Sequence, residues 1–234
     1  MQRQPLVVAV AQPQTTAYDV VANAAQHAGA VRAAQARVVV FPELSLTGYE
    51  LDAPAIANDD QRLAPIVEAC AETGTIALVG APVRDTTGSE HIAMLAVDGN
   101  GSRVAYRKVY VDESEGRFSP GYGPRVLVVD GWRLGLAICR DTRFAEHDAG
   151  TAALGMDVYI AAVVDHAGDA HVPVERAQRV IAAHRVWVAT ASFAGSTGGG
   201  FDQAAGGSTV WGPDGKPLAQ AGTKVGEFAR ATLR

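Results

Sequence analysis

Three residues have side chains suited to chemistry, and each directly follows an apolar stretch that reads as a strand: Glu43, Lys108 and Cys139. Cysteine attacks a carbonyl carbon as the thiolate, so a neighbouring base must take the thiol proton. The same base can return that proton to a leaving amine, while an ammonium and a backbone N–H stabilise the oxyanion. An acid, an ammonium and a thiol at three strand ends therefore fit the hydrolysis of an amide by a thiol.

Each of these residues also has a plain structural interpretation. Free cysteine is among the most buried residue types, so Cys139 could serve packing alone. Glu43 could be a solvated loop acid, and Lys108 a charge that keeps a strand edge soluble. The second cysteine, Cys70, lies between alanines in a predicted helix and is interpreted as a core residue.

The elements that must position these residues begin as alternating strands and helices. Apolar runs at 6–11, 37–41 and 76–80 predict buried strands, and alanine-containing segments at 19–35 and 65–72 predict helices. Continuous apolar strands separated by helices are typical of neighbouring parallel strands. In open α/β sheets, the carboxyl ends of such strands are where ligands bind.

The rest of the chain mixes hairpins with further helices. Hairpins are predicted from strand pairs at 91–97 with 103–108 and at 125–129 with 132–138, the second of which leads into the thiol. The remaining predicted elements are helices at 145–154 and 174–185, strands at 158–163, 186–191 and 225–233, and a hairpin of 208–211 with 217–221. A glycine-rich stretch at 195–200 is predicted to be an exposed loop. This mixture predicts either one large mixed sheet or two stacked sheets covered by helices.

The composition argues against several classes of function. The chain has 234 residues, of which 48% are hydrophobic and 19% charged, as in an ordinary globular protein. Its net charge of −5 offers no basic stripe for nucleic acid, and no apolar run approaches the roughly 20 residues that span a bilayer. Its two cysteines make neither a disulfide framework nor a zinc site. No secretory leader is recognised, so we expect a cytoplasmic protein with no nucleic-acid partner, no membrane partner and no bound metal.

Motifs surround the three candidate residues. The acid stands in FPELSLTGY (41–49), the lysine in YRKVY (106–110) followed by FSPG (118–121), and the thiol in GLAICRDTRF (135–144). In this order and at these separations they resemble the glutamate, lysine and cysteine motifs of the nitrilase, or carbon–nitrogen hydrolase, superfamily. GSTVWGPDG (207–215) is a weaker match near the end of the chain.

The resemblance covers essentially the whole chain and implies a single carbon–nitrogen hydrolase domain over residues 1–234. The implied fold is α/β (α+β in some schemes), a four-layer-forming αββα sandwich of two mixed sheets flanked by helices. The resemblance also implies that no cofactor is needed and that the substrate is a small-molecule amide or carbamoyl compound. A homodimer or higher homo-oligomer, packed through the helical layers, is the implied assembly.

The resemblance assigns roles to the candidate residues. Cys139 would be the nucleophile, Glu43 the general base and acid, and Lys108 with the backbone N–H of Arg140 the groups that stabilise the oxyanion. We expect Lys108 and Glu43, in a sheltered pocket, to bias the thiol towards the thiolate. The cycle would pass through a thioester on Cys139, with ammonia or an amine released before water hydrolyses the thioester.

The chain departs from the family pattern after the lysine motif. Many members carry a further glutamate where this chain has Ser114, which is flanked by Glu113 and Glu115. Either acid could reach the site or be solvated; we favour Glu115 as a fourth catalytic residue and keep Glu113 as a substrate-binding candidate. Tyr110 replaces a usual histidine, and its ring either lines the substrate pocket or packs.

Further residues of the motifs are candidates for contacting substrate. Tyr49 closes the glutamate motif, and Arg140 follows the thiol. Asp141 is interpreted as local structure, whereas Arg143 either supports local structure or binds a substrate carboxylate. His166, after a predicted strand, either contacts substrate or faces solvent in a loop.

Three functions are compatible with these residues. The leading hypothesis is a cysteine-dependent hydrolase of linear amides, N-carbamoyl compounds or a related C–N bond. Nitrile hydrolysis could use the same acid, lysine and thiol. A catalytically silent binding or scaffold protein on the same fold is the alternative of another class, although a binding role would not demand all three residues.

Overall fold

The computed structural model describes residues 3–57 and 59–234 and contains two six-stranded sheets and a short two-stranded pair. In chain order the strands are β1 (Leu6–Ala11), β2 (Val38–Val40), β3 (Ile76–Arg84), β4 (Glu90–Asp98), β5 (Gly101–Arg107), β6 (Arg125–Val129), β7 (Trp132–Ile138), β8 (Val158–Val163), β9 (Trp187–Ser192), β10 (Ala194–Gly195), β11 (Ala204–Ala205), β12 (Thr209–Trp211), β13 (Pro217–Gln220) and β14 (Phe228–Leu233). The α-helices are α1 (Val20–Ala34), α2 (Ala64–Thr73), α3 (Ala145–Ala153) and α4 (His171–His184). Among the described residues, no helix has the length and apolar character needed to cross a membrane.

Both large sheets are mixed, with parallel strands inside and antiparallel strands outside. The first sheet has the order β14-β1-β2-β3-β4-β5, in which β1, β2 and β3 are parallel. The second has the order β13-β12-β9-β8-β7-β6, in which β7, β8 and β9 are parallel. Parallel neighbours need crossover connections, and the helices of the chain lie within those connections.

Apolar side chains hold the layers together in separate clusters. The inner faces of the two sheets share one core, which includes Val10 of the first sheet and Leu136 and Ile160 of the second. Helices α1 and α2 pack on the outer face of the first sheet through residues such as Val31. Helix α4 covers the outer face of the second sheet through residues such as Val180. The order helix, sheet, sheet, helix confirms the predicted αββα sandwich.

The predicted elements are present, with differences at their ends. Strand β3 extends beyond its predicted end to Arg84 although it contains Pro82. A proline fits there because β2 ends at Val40, and beyond it this side of β3 meets an isolated bridge from Ile56, which donates to the Pro82 carbonyl and requires no N–H of Pro82. Helix α4 begins at His171, earlier than predicted, because the first turn of a helix tolerates a proline such as Pro173.

The glycine-rich stretch at 195–200 is not simply the exposed loop that was predicted. Thr197 is buried, and its carbonyl accepts a hydrogen bond from Tyr49 N at 2.7 Å. Gly199, at a φ of +57°, passes so close to Tyr49 that an added Cβ would lie 2.2 Å from the Tyr49 carbonyl oxygen. Glycine is needed here for close approach, so the stretch packs against Tyr49 at Thr197 and Gly199, although 196, 199 and 200 are exposed as predicted.

The two facing sheets bring together strand ends that are distant in the sequence. Glu43 follows β2 and Lys108 follows β5, so the first sheet supplies both, whereas Cys139 follows β7 of the second sheet. Gly80 of β3 fixes the turn that carries Glu43, because it packs directly against that turn. A Cβ added at Gly80 would lie 2.3 Å from Leu44 N and 2.4 Å from the Pro42 carbonyl oxygen.

We expect Gly80→Ala to lower the free energy of unfolding by about 1–3 kcal/mol, because the added methyl overpacks a site that has no room for it. Gly29→Ala, in α1, is the matched control, since nothing lies within 4 Å of its added Cβ. Alanine is favoured over glycine in a helix interior by about 0.8–1 kcal/mol, so this variant should be more stable than the parent. Urea unfolding of both variants measures the difference, and equal stability of Gly80→Ala and the parent would contradict the packing described.

Candidate active site

The Glu43 carboxyl group is held on the turn that leaves β2. Leu44 takes a left-handed φ of +53°, which reverses the chain beside β3. The Glu43 residue is 0% exposed. Its Oε1 accepts a hydrogen bond from Lys108 Nζ at 2.7 Å, whereas Oε2 is buried and accepts none within the described part of the chain. The second oxygen is therefore available to a proton donor.

The Lys108 ammonium is buried between two carboxylates. The backbone of Lys108 extends β5, since its N–H donates to Ile92 O at 2.8 Å and its carbonyl accepts from Gly121 N at 2.7 Å. Its Nζ lies 2.7 Å from Glu43 Oε1 and 2.6 Å from Glu115 Oε1, with the residue 1% exposed. Charge-assisted hydrogen bonds of this length are the strong ones, so the ammonium has a fixed position.

Glu115 is held in place by several donors at once. Besides Lys108, Tyr49 OH donates to its Oε1 at 2.9 Å, and Asp112 N donates to its Oε2 at 2.8 Å. The last contact belongs to a capping box that closes a one-turn 3₁₀ helix after the lysine motif. Glu113, in the same turn, is exposed and points its side chain outside this cluster. Of the two predicted acids, the structure brings Glu115 to Lys108 and leaves Glu113 outside.

Cys139 lies on a sharp turn where β7 passes into a short 3₁₀ helix. Its φ of +39° is uncommon for a residue with a side chain and is held by Thr142 Oγ1, which donates to the Cys139 carbonyl at 2.6 Å. The thiol contacts the Val164 carbonyl at 3.6 Å. Cys139 is only half-buried, whereas Cys70 is buried in the core as predicted. The turn therefore leaves residue Cys139 less buried than Cys70.

The Asp141 carboxylate joins the lysine segment to the cysteine turn. Its Oδ1 accepts from Val109 N at 3.1 Å and from Tyr110 N at 2.8 Å. Its Oδ2 accepts from Ile138 N at 2.9 Å. Asp141 was interpreted as local structure, but it spans two segments that come from facing sheets.

Burial and neighbouring charges together determine the protonation of Glu43 and Lys108. Burial raises the pKa of Glu43 to about 7, although the neighbouring Lys108 ammonium acts against this rise. Burial by itself lowers the pKa of Lys108, but the charges of Glu43, Cys139 and Glu115 outweigh it and leave the pKa raised. At neutral pH the lysine is therefore charged, and Glu43 is poised between its two protonation states.

The thiol is protonated at rest. Burial raises the pKa of the Cys139 thiol, the charge of Glu43 raises it further, and Lys108 opposes both without offsetting them. Of the two residues expected to bias Cys139 towards the thiolate, Lys108 acts in that direction, but Glu43 acts against it and burial outweighs both. The charge of Glu43 is the largest electrostatic influence of another residue on the thiol pKa, so Glu43 is the base that neighbours the thiol.

Several candidates for substrate contact have partners within the protein. The Arg140 side chain is half-buried and forms an ion pair with Asp112. The Tyr110 ring stacks on Phe144 with ring centroids 4.0 Å apart, which favours packing over a position in a pocket wall. Arg143 is exposed.

His166 is exposed, yet it is connected to the cluster by aromatic contacts. Its ring stacks on Phe201 at 4.2 Å between centroids. Phe201 in turn meets the edge of Tyr49 at 5.1 Å, and the Tyr49 hydroxyl reaches Glu115. The structure thus connects His166 and Tyr49 to one side of the site, whereas Arg143 and Glu113 make no contact with the Lys108 cluster among the described side chains.

Sequence reasoning missed two groups of the site. Tyr106 OH donates to Asp141 Oδ2 at 2.6 Å. Its position two residues before Lys108 was an available signal, because alternate residues of a strand share a face. The Val164 carbonyl is a backbone group and carries no sequence signal. Within the described part of the chain, no three His, Cys, Asp or Glu side chains are grouped so as to hold a metal ion.

The carbon–nitrogen hydrolase family matches residues 7–233. A curated relative, the "hydrolase in pqqF 5'region" of Pseudomonas protegens, is 34% identical over 146 residues, which cover 57% of this chain and 50% of that protein. The match therefore spans about half the length of that relative.

Solved structures share the fold at lower identity. Nit3 of Saccharomyces cerevisiae, a member of branch 10 of the nitrilase superfamily, has a TM-score of 0.88 and 22% identity over 98% of this chain and 90% of its own. A mutant amidase from Nesterenkonia sp. AN1, with acrylamide added to its active-site cysteine, has a TM-score of 0.85 and 23% identity over 98% of this chain and 93% of its own. These likenesses show the sandwich fold, and the family match over residues 7–233 shows the relationship: the chain belongs to the carbon–nitrogen hydrolase family.

Proposed function

We propose that this protein is a cysteine-dependent hydrolase of non-peptide C–N bonds, acting on a linear amide or an N-carbamoyl compound. One observation carries the proposal: a buried Lys108 ammonium is bonded to both Glu43 and Glu115, and its charge and that of Glu43 act on the half-buried Cys139. Buried charges are costly unless they are paired, so such a cluster is favoured where chemistry requires it. The solved amidase whose active-site cysteine carries acrylamide is consistent with a reactive thiol in this fold.

Acylation begins with the neutral thiol. Glu43 takes the proton from Cys139 Sγ as the sulfur forms a bond to the substrate carbonyl carbon. Negative charge develops on the carbonyl oxygen, where the Lys108 ammonium and the Arg140 backbone N–H stabilise it. When the C–N bond breaks, Glu43 returns the proton to the leaving nitrogen, so that ammonia or an amine departs and a thioester remains.

Deacylation repeats the proton transfers with water. Glu43, now ionised, takes a proton from a water molecule that attacks the thioester carbonyl. The oxyanion forms again beside Lys108, and the C–S bond breaks as Glu43 returns the proton to the sulfur. The acid product leaves, and the neutral thiol is restored. Glu115 keeps its bond to Lys108 throughout and so maintains the position of the ammonium.

The proposal is tested by ammonia release from a panel of amides, N-carbamoyl amino acids and nitriles. We expect turnover on a member of the first two classes, and Cys139→Ala should lower kcat/KM by at least about 1,000-fold, because the nucleophile is lost. Cys70→Ala is the matched control, since this thiol is in the core. Turnover on nitriles alone would favour the nitrilase alternative. Full activity in Cys139→Ala, or no turnover on any class, would overturn the proposal.

The pH dependence follows from the raised pKa of Glu43. Only the ionised carboxylate can act as base, so kcat/KM should rise with pH through about 7 and level off above it. At one unit below this pKa about a tenth of the groups are ionised, so the rate should be about tenfold lower there. Initial rates on an uncharged amide between pH 5 and 9, on the order of one point per half unit, measure this midpoint. A midpoint near the ordinary carboxyl range of about 4–4.5 would contradict it.

A further inference from the structure

A chain of hydrogen bonds runs from Asp141 away from the thiol. Tyr106 OH lies 2.6 Å from Asp141 Oδ2, and His147 Nε2 lies 2.8 Å from the same hydroxyl. On its other side, His147 Nδ1 lies 3.0 Å from Tyr159 OH. All four residues are buried. Tyr106 comes from β5, Asp141 from the turn after β7, His147 from α3 and Tyr159 from β8, so the chain connects both sheets and a helix.

The chemistry of the groups fixes the direction of each hydrogen bond. The Asp141 carboxylate can only accept, so the Tyr106 hydroxyl donates to it. The Tyr106 oxygen then accepts from His147 Nε2–H, which leaves Nδ1 unprotonated and able to accept from Tyr159 OH. This order requires a neutral imidazole, and burial lowers the pKa of His147 against the opposing charges of Asp141 and Asp148. Each of the four groups therefore has one orientation.

We propose that Tyr106 and His147 are positioning residues: by orienting the Asp141 carboxylate, they set the separation between Lys108 and the Cys139 thiol. The inference rests on the proposed function, because it assigns these residues to the reaction described above. It extends that proposal to two residues whose side-chain hydrogen bonds go to Asp141 and to each other, and not to Lys108 or Cys139.

The topology explains why the separation between Lys108 and the Cys139 thiol has to be fixed by side chains. Lys108 follows β5 of the first sheet and Cys139 follows β7 of the second, and among the residues that the structure describes no strand ladder joins the two sheets. Asp141 bridges this gap, since it binds backbone N–H groups of Val109 and Tyr110 on one side and of Ile138 on the other. Its Oδ2 also accepts from the Tyr106 hydroxyl, so loss of that donor weakens the hold on the oxygen that binds Ile138 N.

Paired amide substitutions at His147 separate positioning from packing. The glutamine amide in His147→Gln can take the place of Nε2–H and still donate to Tyr106. The shorter asparagine in His147→Asn takes the place of Nδ1 and does not reach that hydroxyl. Both variants remove the ring and both are polar, so a purely structural role predicts similar losses in the two.

We expect His147→Asn to lower kcat about tenfold with KM little changed, because a displacement of about 1 Å in a catalytic arrangement can cost about 100-fold. His147→Gln should stay within about threefold of the parent, since the donor is retained. Tyr106→Phe should resemble His147→Asn, and the double variant should lose no more than Tyr106→Phe alone, because both act through one bond. His184→Asn is the control, since His184 pairs with Asp148 rather than with this chain, and it should keep parental rates.

A measurement that needs no substrate turnover tests the positioning role independently of the proposed function. Alkylation of Cys139 by iodoacetamide, followed by mass spectrometry across pH, reports the charges that face the thiol, which are Glu43, Lys108 and Asp165. If His147→Asn moves Lys108 away, half-maximal alkylation should shift to higher pH than in the parent, whereas His147→Gln should show no shift. Cys70, whose pKa burial raises to about 11, reports any loss of folding by becoming reactive.

The outcomes distinguish the two proposals. If the parent hydrolyses no amide but the alkylation profile shifts only in His147→Asn, the positioning of the thiol stands and the proposed function fails. If the parent is active while both His147 variants lose kcat and thermal stability together, with unmoved alkylation profiles, the residues serve folding alone and the positioning inference is overturned.

Discussion

The burial of one ammonium constrains the rest of this structure. Removing a charge from water costs several kcal/mol even after the protein relaxes, so Lys108 can be buried only with partners that stay in place. Glu43 and Glu115 supply them, and each is itself buried. Loss of either acid would leave a buried charge uncompensated and lower the free energy of unfolding by about 3–5 kcal/mol. The three side chains therefore have to be buried as a group. A well-packed apolar trio would give equal or better stability, which makes chemistry the better reason for keeping the charges.

The sandwich satisfies this constraint from both of its sheets. The first sheet delivers the acid and the ammonium at neighbouring strand ends, while the second delivers the thiol on a strained turn. Helix α4 supports that turn from outside, because Arg179 donates to the Thr142 carbonyl at 2.9 Å and the Thr142 hydroxyl in turn holds the Cys139 carbonyl. The backbone strain at Cys139 is thus supported by contacts from another layer.

Much of this arrangement was predictable from local patterns, and the rest was not, for identifiable reasons. Apolar runs that stop at a charged residue or a thiol predict strand ends, which is why positions 43, 108 and 139 stood out. Their convergence came from the family resemblance, since periodicity carries no information on which strand ends meet. The choice between Glu113 and Glu115 depends on the rotation of a single 3₁₀ turn, and the protonation of the thiol depends on burial. Neither is a property of a short stretch of sequence.

The raised pKa values of the thiol and of Glu43 have one physical consequence for the proposed reaction. Burial disfavours the charged form of both acids, so at neutral pH the sulfur keeps its proton while Glu43 is only partly ionised. Lys108 bonds Glu43 directly, which stabilises the carboxylate and leaves the proton on the sulfur at rest. A neutral thiol is the less oxidisable form, so the resting site is protected without being inert. When negative charge develops on a substrate oxygen beside Lys108, the ammonium also interacts with that oxygen. It then stabilises the Glu43 carboxylate less. Glu43 is then a stronger base than in the resting site, at the step in which it takes the thiol proton.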